Sequence, residues 1–260
     1  MEIWKAAVLG IVQGLTEFLP VSSSGHLLLF ERLLAAETGG ADLFLGIVLH
    51  AGTLLAVLTA YAPVLFRIIK TNRKMLVYLL VATVPAAIVG VFLGDAVDRV
   101  FFSGDWLWLF FGVTAVILLA SESYSKKARL LHPVTMKSAV LTGCAQAVAV
   151  IPGLSRSGTT IAAGLFCGLS REDAADFSFL MSIPVIGGAL AVQGWKVFEN
   201  SAYASAFSAP CLLCGTLCSF VFGYLSLRLL RGAVKRGRTY PFAVYLLVLS
   251  VILAVCGVAV

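Results

Sequence analysis

The sequence predicts an all-α polytopic membrane protein, and three observations carry that prediction. Of its 260 residues 60% are hydrophobic, only 12% are charged, and apolar runs of spanning length recur from end to end. Soluble domains hold roughly 45–50% apolar and about 25% charged residues. A folded chain of this size also needs a polar exterior in water. The same arithmetic excludes a disordered chain, a collagen and a small disulfide scaffold. At about 20 apolar residues per crossing, the length allows roughly six to eight embedded segments.

Six clean spans fall at 43–62, 75–94, 105–121, 177–198, 208–230 and 240–260, and each is read as a transmembrane helix. Two further segments are apolar but interrupted. Residues 3–36 carry Gln13, Glu17, Pro20, the run Ser22-Ser23-Ser24-Gly25 and His26. Residues 134–168 carry Gln146, Pro152-Gly153 and Ser155-Arg156-Ser157-Gly158. Proline, serines and glycine at membrane depth break a spanning helix, and irregular backbone is tolerated there only under cover of protein or in a polar cavity. Both segments therefore read as re-entrant helix–loop–helix units.

Charge tests this reading. The net charge is +6, but 12 of the 19 basic residues sit in three short loops, so nucleic-acid binding is excluded in favour of a cytoplasmic face. The first loop holds Arg67, Lys70, Arg73 and Lys74; the second Lys126, Lys127 and Arg129; the third Arg228, Arg231, Lys235, Arg236 and Arg238. Two clean spans and segment 134–168 separate the second loop from the third. Both loops share a side only if that segment enters and leaves on one side. Applied to segment 3–36, the same argument puts both termini outside, with Glu31, Glu37, Asp42, Asp95, Asp98 and Asp105. The two interrupted segments also match at an offset of 133 (Gln13 to Gln146). Gly10 pairs with Gly143, Ser22 with Ser155, Ser24 with Ser157, Gly25 with Gly158 and Phe44 with Phe177. One membrane domain, 1–260, then holds two repeats, 1–125 and 134–260. Each has an odd number of crossings, so the second is inverted. Discontinuous helices in such a fold meet at a site near the midplane.

The interruptions carry the chemistry. Gln13 and Glu17 share a helix face, and an ionisable residue at membrane depth is a functional candidate. Gln13 either joins it or hydrogen-bonds a neighbouring helix. Ser22, Ser23 and Ser24 precede an apolar run, as N-caps do, and a helix start is an anion site. Capping accounts for one serine, not for three with His26 behind and Glu17 ahead. Ser–His–Glu suits a nucleophile, base and orienter, or a metal-ligand set. Ser155, Arg156, Ser157 and Thr159 form a second helix start, with a forked cation suited to phosphate. His132, in a basic loop, carries no chemistry in this reading, and His50 reads as a hydrogen-bonding partner for a neighbouring helix. The cysteines lie in apolar runs; Cys211, Cys214 and Cys218 share a face and read as small residues at a helix contact, with no disulfide or zinc inferred.

Gln13-Gly14-Leu15-Thr16-Glu17-Phe18-Leu19-Pro20-Val21-Ser22-Ser23-Ser24-Gly25-His26 and Pro152-Gly153-Leu154-Ser155-Arg156-Ser157-Gly158 resemble the two signatures of the bacterial undecaprenyl-diphosphate phosphatases of the bacitracin-resistance type. The resemblance covers essentially the whole chain. It implies hydrolysis of undecaprenyl diphosphate to undecaprenyl phosphate, the lipid carrier of peptidoglycan synthesis. It implies a divalent cation, Mg²⁺ or Ca²⁺, and a multi-pass protein of the cytoplasmic membrane with its site open to the outer face; by its chemistry Glu17 would hold that metal or tune His26. Glu17, Ser23, His26 and Arg156 are the implied catalytic core; Ser22, Ser24, Ser155, Ser157, Thr159 and Gln13 are the substrate-binding candidates. The family pattern begins with Glu or Gln, and Gln13 is the neutral form. The nucleophile stays open between Ser23, His26 and water, and a homo-oligomer is left open. The rival reading is a lipid-phosphate flippase or ion-coupled transporter, since inverted repeats with broken helices are the usual transporter build.

Overall fold

The computed structural model describes residues 1–36, 42–101, 104–127, 131–199 and 207–256. Among them are eleven helices and no strand; His132 and Leu169 form an isolated bridge. In chain order the helices are α1 (Ile3–Phe18), α2 (Ser23–Leu33), α3 (Asp42–Thr71), α4 (Arg73–Phe92), α5 (Gly94–Phe101), α6 (Leu107–Lys127), α7 (Met136–Val148), α8 (Arg156–Phe166), α9 (Arg171–Glu199), α10 (Ala209–Lys235) and α11 (Tyr240–Cys256). Each interrupted segment is indeed two helices, α1–α2 and α7–α8. Five helices, α3, α4, α6, α9 and α10, are long and apolar enough to cross a membrane. The sixth expected span, 240–260, is the shorter apolar helix α11, and residues 257–260 lie outside the described residues.

Helix ends overrun the apolar runs, and at α9 and α10 the charged flanks find partners on neighbouring elements. α3 continues to Thr71, α9 begins at Arg171 and α10 runs to Lys235. Arg171 grips Glu122 of α6 with two bonds of 2.8 Å, and Thr239 donates to the same carboxylate at 2.9 Å. Arg231 reaches Asp176 at 3.0 Å, Tyr61 donates to Asp176 at 2.7 Å, and Lys235 reaches Glu172 at 2.5 Å. These contacts gather the ends of α3, α6, α9 and α10 that carry basic residues. At the opposite end the start of α1 packs with Leu45, Leu49, Phe207 and Cys211. The short helix α5, with its acid-rich sequence, was not expected.

α1 is held by backbone-to-backbone contact. A Cβ on Gly10 would collide with the Gly215 carbonyl oxygen of α10 and lie 3.0 Å from Cys218 Cβ, and one on Gly14 would lie 2.6 Å from the Ser219 oxygen. Small residues permit such approach between membrane helices. Gly143 of α7 repeats the device against α4, where a Cβ would sit 2.5 Å from the Ala82 oxygen. α2 and α8 also begin and end 133 residues apart (156 less 23, 166 less 33). The tips of the two hairpins interlock. Ser157 Oγ donates to the Leu19 carbonyl at 3.0 Å, and a Cβ on Gly158 would meet Pro20 at 3.1 Å. Outward, Leu55, Leu80, Phe92, Leu217 and Val255 are exposed, a surface suited to lipid chains.

Candidate active site

α1 carries Gln13 and Glu17 one turn apart on its buried face, at 0% and 7% exposure. The helix stops at Phe18 because the residue before a proline is driven to extended backbone, and Leu19 has ψ 146°. The chain turns through Ser22, whose φ of 70° is uncommon for a residue with a Cβ, and α2 begins at Ser23. This turn brings Ser23 back over the end of α1. Its hydroxyl donates to Glu17 Oε2 at 2.7 Å, and Gln13 Nε2 donates to the same oxygen at 3.0 Å. Arg156, the first residue of α8, donates from Nη2 to Glu17 Oε1. His50 of α3 brings Nε2 to 3.6 Å from Glu17 Oε2. One buried carboxylate is thus the meeting point of both hairpins and a long helix.

The second tip is organised to present Arg156. Ser155 caps α8, its Oγ accepting from the Gly158 amide at 3.1 Å. The Ser155 amide donates to Thr114 Oγ1, which donates to the Gly153 carbonyl, each at 3.1 Å. Ser155 and Ser157 hydroxyls lie 3.2 Å apart, and Thr160 shares a 2.7 Å bond with Ser178. The first tip differs. Ser22 occupies the N-cap position of α2 yet makes no capping bond with its side chain, which instead meets Ser24 Oγ at 3.3 Å. The amides opening α2 therefore take no bond from the Ser22 side chain.

His26 is not brought to Ser23. Its Nδ1 lies 2.8 Å from the Ser22 carbonyl and its Nε2 lies 2.8 Å from the Tyr245 hydroxyl of α11. The expected Ser–His pair is replaced by a Ser–Glu pair, because the first turn of α2 points His26 toward α6 and α11. Of the predicted residues, Gln13, Glu17, Ser23 and Arg156 converge. Ser22, Ser24, Ser155 and Ser157 shape the two tips, and Thr159 lies buried one turn into α8. Thr114 and Tyr245 are the residues that sequence reasoning missed; His50, read only as a partner for a neighbouring helix, faces Glu17 of α1. An ionisable side chain inside a span was the available signal for His50.

Three buried polar atoms here have no partner within the protein: Arg156 Nη1, Thr159 Oγ1 and Gln13 Oε1. Two can donate and one only accepts. Among the described residues no three His, Cys, Asp or Glu side chains cluster, so these residues offer no all-protein metal cage. The donor set, Glu17 with the free Gln13 Oε1, fits a hard cation that takes one or two protein oxygens and completes its shell from phosphate, as Mg²⁺ does.

A helical membrane protein whose interlocked hairpin tips present a carboxylate, a hydroxyl and a guanidinium is, by class, a membrane-embedded site for a phosphorylated ligand. Comparison narrows the class. Residues 6–252 match the family described as bacitracin resistance protein BacA, and the chain belongs to that family. It is similar to the undecaprenyl-diphosphatases of Methanosphaera stadtmanae (36% identity over 99% of both chains) and of Bacteroides fragilis (38% over 97% of both). The undecaprenyl-diphosphatase of Korarchaeum cryptofilum is 37% identical over 96% of this chain and 98% of its own.

Proposed function

We propose that this protein is an undecaprenyl-diphosphate phosphatase. It removes the terminal phosphate from undecaprenyl diphosphate, releases inorganic phosphate and returns the carrier lipid to cell-wall synthesis, which confers bacitracin resistance. The observation that carries the reading is Glu17 holding Ser23 on one oxygen and Arg156 on the other, at the contact of two hairpin tips. Membership of the family supports the substrate.

A diphosphate needs its charge neutralised and a nucleophile in line with the leaving phosphate. Arg156 has one nitrogen on Glu17 and another without a partner, so it can hold carboxylate and phosphate together. Thr159 and the amides opening α2 would bind further phosphate oxygens. Glu17 keeps the Ser23 hydroxyl aimed and accepts its proton. Ser23 Oγ attacks the terminal phosphorus, the anhydride P–O bond breaks, and undecaprenyl phosphate leaves. Water then attacks the phosphorus on Ser23, the Oγ–P bond breaks, Glu17 returns the proton to Ser23 Oγ, and inorganic phosphate is released. Glu17 and Gln13 Oε1 would hold a Mg²⁺ or Ca²⁺ ion, which when bound supplies charge neutralisation at the diphosphate.

We place the hairpins as re-entrant segments of an inverted repeat in the cytoplasmic membrane, with the site open to the outer face. The helix pairings repeated at offset 133 and the gathering of basic helix ends at one end support this. The test is phosphate release from undecaprenyl diphosphate by purified protein in detergent, where transport is impossible. Release that stops with a chelator and returns with Mg²⁺ or Ca²⁺ is expected. No release under any metal would leave the flippase reading in possession.

A further inference from the structure

Buried His26 and half-exposed Tyr245 form a pair that the reaction, as derived above, does not use. Tyr245 comes from α11, the last helix, 219 residues away in sequence. The two rings stack at 5.7 Å and 21°, and Phe111 of α6 lies against His26 at 5.3 Å. A carbonyl only accepts, so His26 Nδ1, 2.8 Å from the Ser22 oxygen, carries the proton. The neutral ring then has a bare Nε2, and the Tyr245 hydroxyl at 2.8 Å donates to it. The Ser22 carbonyl also takes the His26 amide at 3.2 Å. His26 thus grips that carbonyl twice, at the residue whose φ is 70°. A residue with a Cβ stays in that region only when its surroundings hold it there. Ser23 follows directly, with its hydroxyl on Glu17.

We propose that Tyr245 is a positioning residue: by donating to Nε2 its hydroxyl keeps the His26 ring seated on the Ser22 carbonyl in the Nδ1–H tautomer that this carbonyl selects, and the seated His26 holds the Ser22 turn that aims Ser23 at Glu17. The inference rests on the reading of Ser23 as nucleophile. It makes the last helix of the fold a part of the site, and it gives His26 an orienting task in place of proton abstraction from Ser23.

Tyr245→Phe keeps the ring stack and removes only the hydroxyl. Turnover number should fall roughly tenfold, the size of one hydrogen bond, with KM changed less than about twofold. Nitrogen-15 spectra of histidine-labelled protein should show His26 as the single Nδ1–H tautomer in the parent and as mixed tautomers in Tyr245→Phe. The signal is assigned by its disappearance in His26→Gln. An unchanged tautomer in Tyr245→Phe overturns the proposal whether or not turnover falls, because a fall alone would be ordinary damage. A changed tautomer with full turnover overturns it as well. A parent protein that releases no phosphate would sink the hydrolase reading instead, and the tautomer comparison would still decide whether Tyr245 sets His26.

Discussion

Glu17 concentrates the consequences at the residue scale. It is 7% exposed and bonded to Gln13, Ser23 and Arg156. Glu17→Gln removes the charge and strands Arg156, whose side chain is only 14% exposed. Breaking a buried pair from one side costs about 3–5 kcal/mol. The variant should therefore lose both phosphate release and melting temperature in detergent, and a parent-like melting curve would show that the pair is not buried. Arg156→Lys keeps charge but loses the fork that lets one side chain hold carboxylate and phosphate. Its rate should drop ~100- to 1,000-fold, the range for a contact made mainly in the transition state. Parent-like turnover in that variant would make Arg156 an anchor only. Glu17, Ser23 and Arg156 were legible in the sequence because each is polar in an apolar run, at a helix start or in a helix's last turn. The contact of Glu17 with Arg156 spans 139 residues, and only the repeat hinted at it. Tyr245 left no signal, since a tyrosine in so apolar a helix also reads as lipid-facing, and the rotation of α11 is fixed by packing against α6.

At the scale of elements, α1 has to be placed correctly for Glu17 to reach the second hairpin. A Cβ on Gly14 would lie 2.6 Å from the Ser219 oxygen and 2.7 Å from the Gly223 nitrogen, backbone atoms of α10 that cannot swing aside. Gly14→Ala should push α1 off α10, with an overpacking cost of about 1–3 kcal/mol. A lower melting temperature and weaker phosphate release are expected. Gly187→Ala on α9 has nothing within 4 Å and is the matched control, expected to behave as the parent. Equal behaviour of the two variants would contradict the close α1–α10 contact. Hydropathy located α3, α4, α6, α9 and α10 but not their ends. The charged flanks of α9 and α10 continue as helix because Arg171, Arg231 and Lys235 find carboxylates on neighbouring elements, which a local window does not see.

At the scale of the whole molecule, the ion pairs of Glu122, Asp176 and Glu172 collect the basic helix ends, and the start of α1 lies at the other end with Phe207 and Leu45. The positive-inside rule then puts positions 71 and 235 in the cytoplasm and position 2 outside. Single cysteines at these places, in a cysteine-free background, should react with an impermeant reagent in intact cells only at position 2. Labelling of 71 or 235 from outside would remove the inverted repeat. Paired motifs and charge parity are the signals the sequence offers for the proposed repeat. The interlocking of Ser157 with Leu19, and of Gly158 with Pro20, follows from three-dimensional packing that no spacing encodes.

The central claim is that Ser23, aimed by Glu17, takes the phosphate before water does. The stereochemical course at the terminal phosphorus tests it most directly. With undecaprenyl diphosphate made chiral at that phosphorus by isotopic oxygens and sulfur, two in-line displacements predict overall retention of configuration in the released thiophosphate. Inversion would mean a single direct attack by water, and Ser23 would not be the nucleophile.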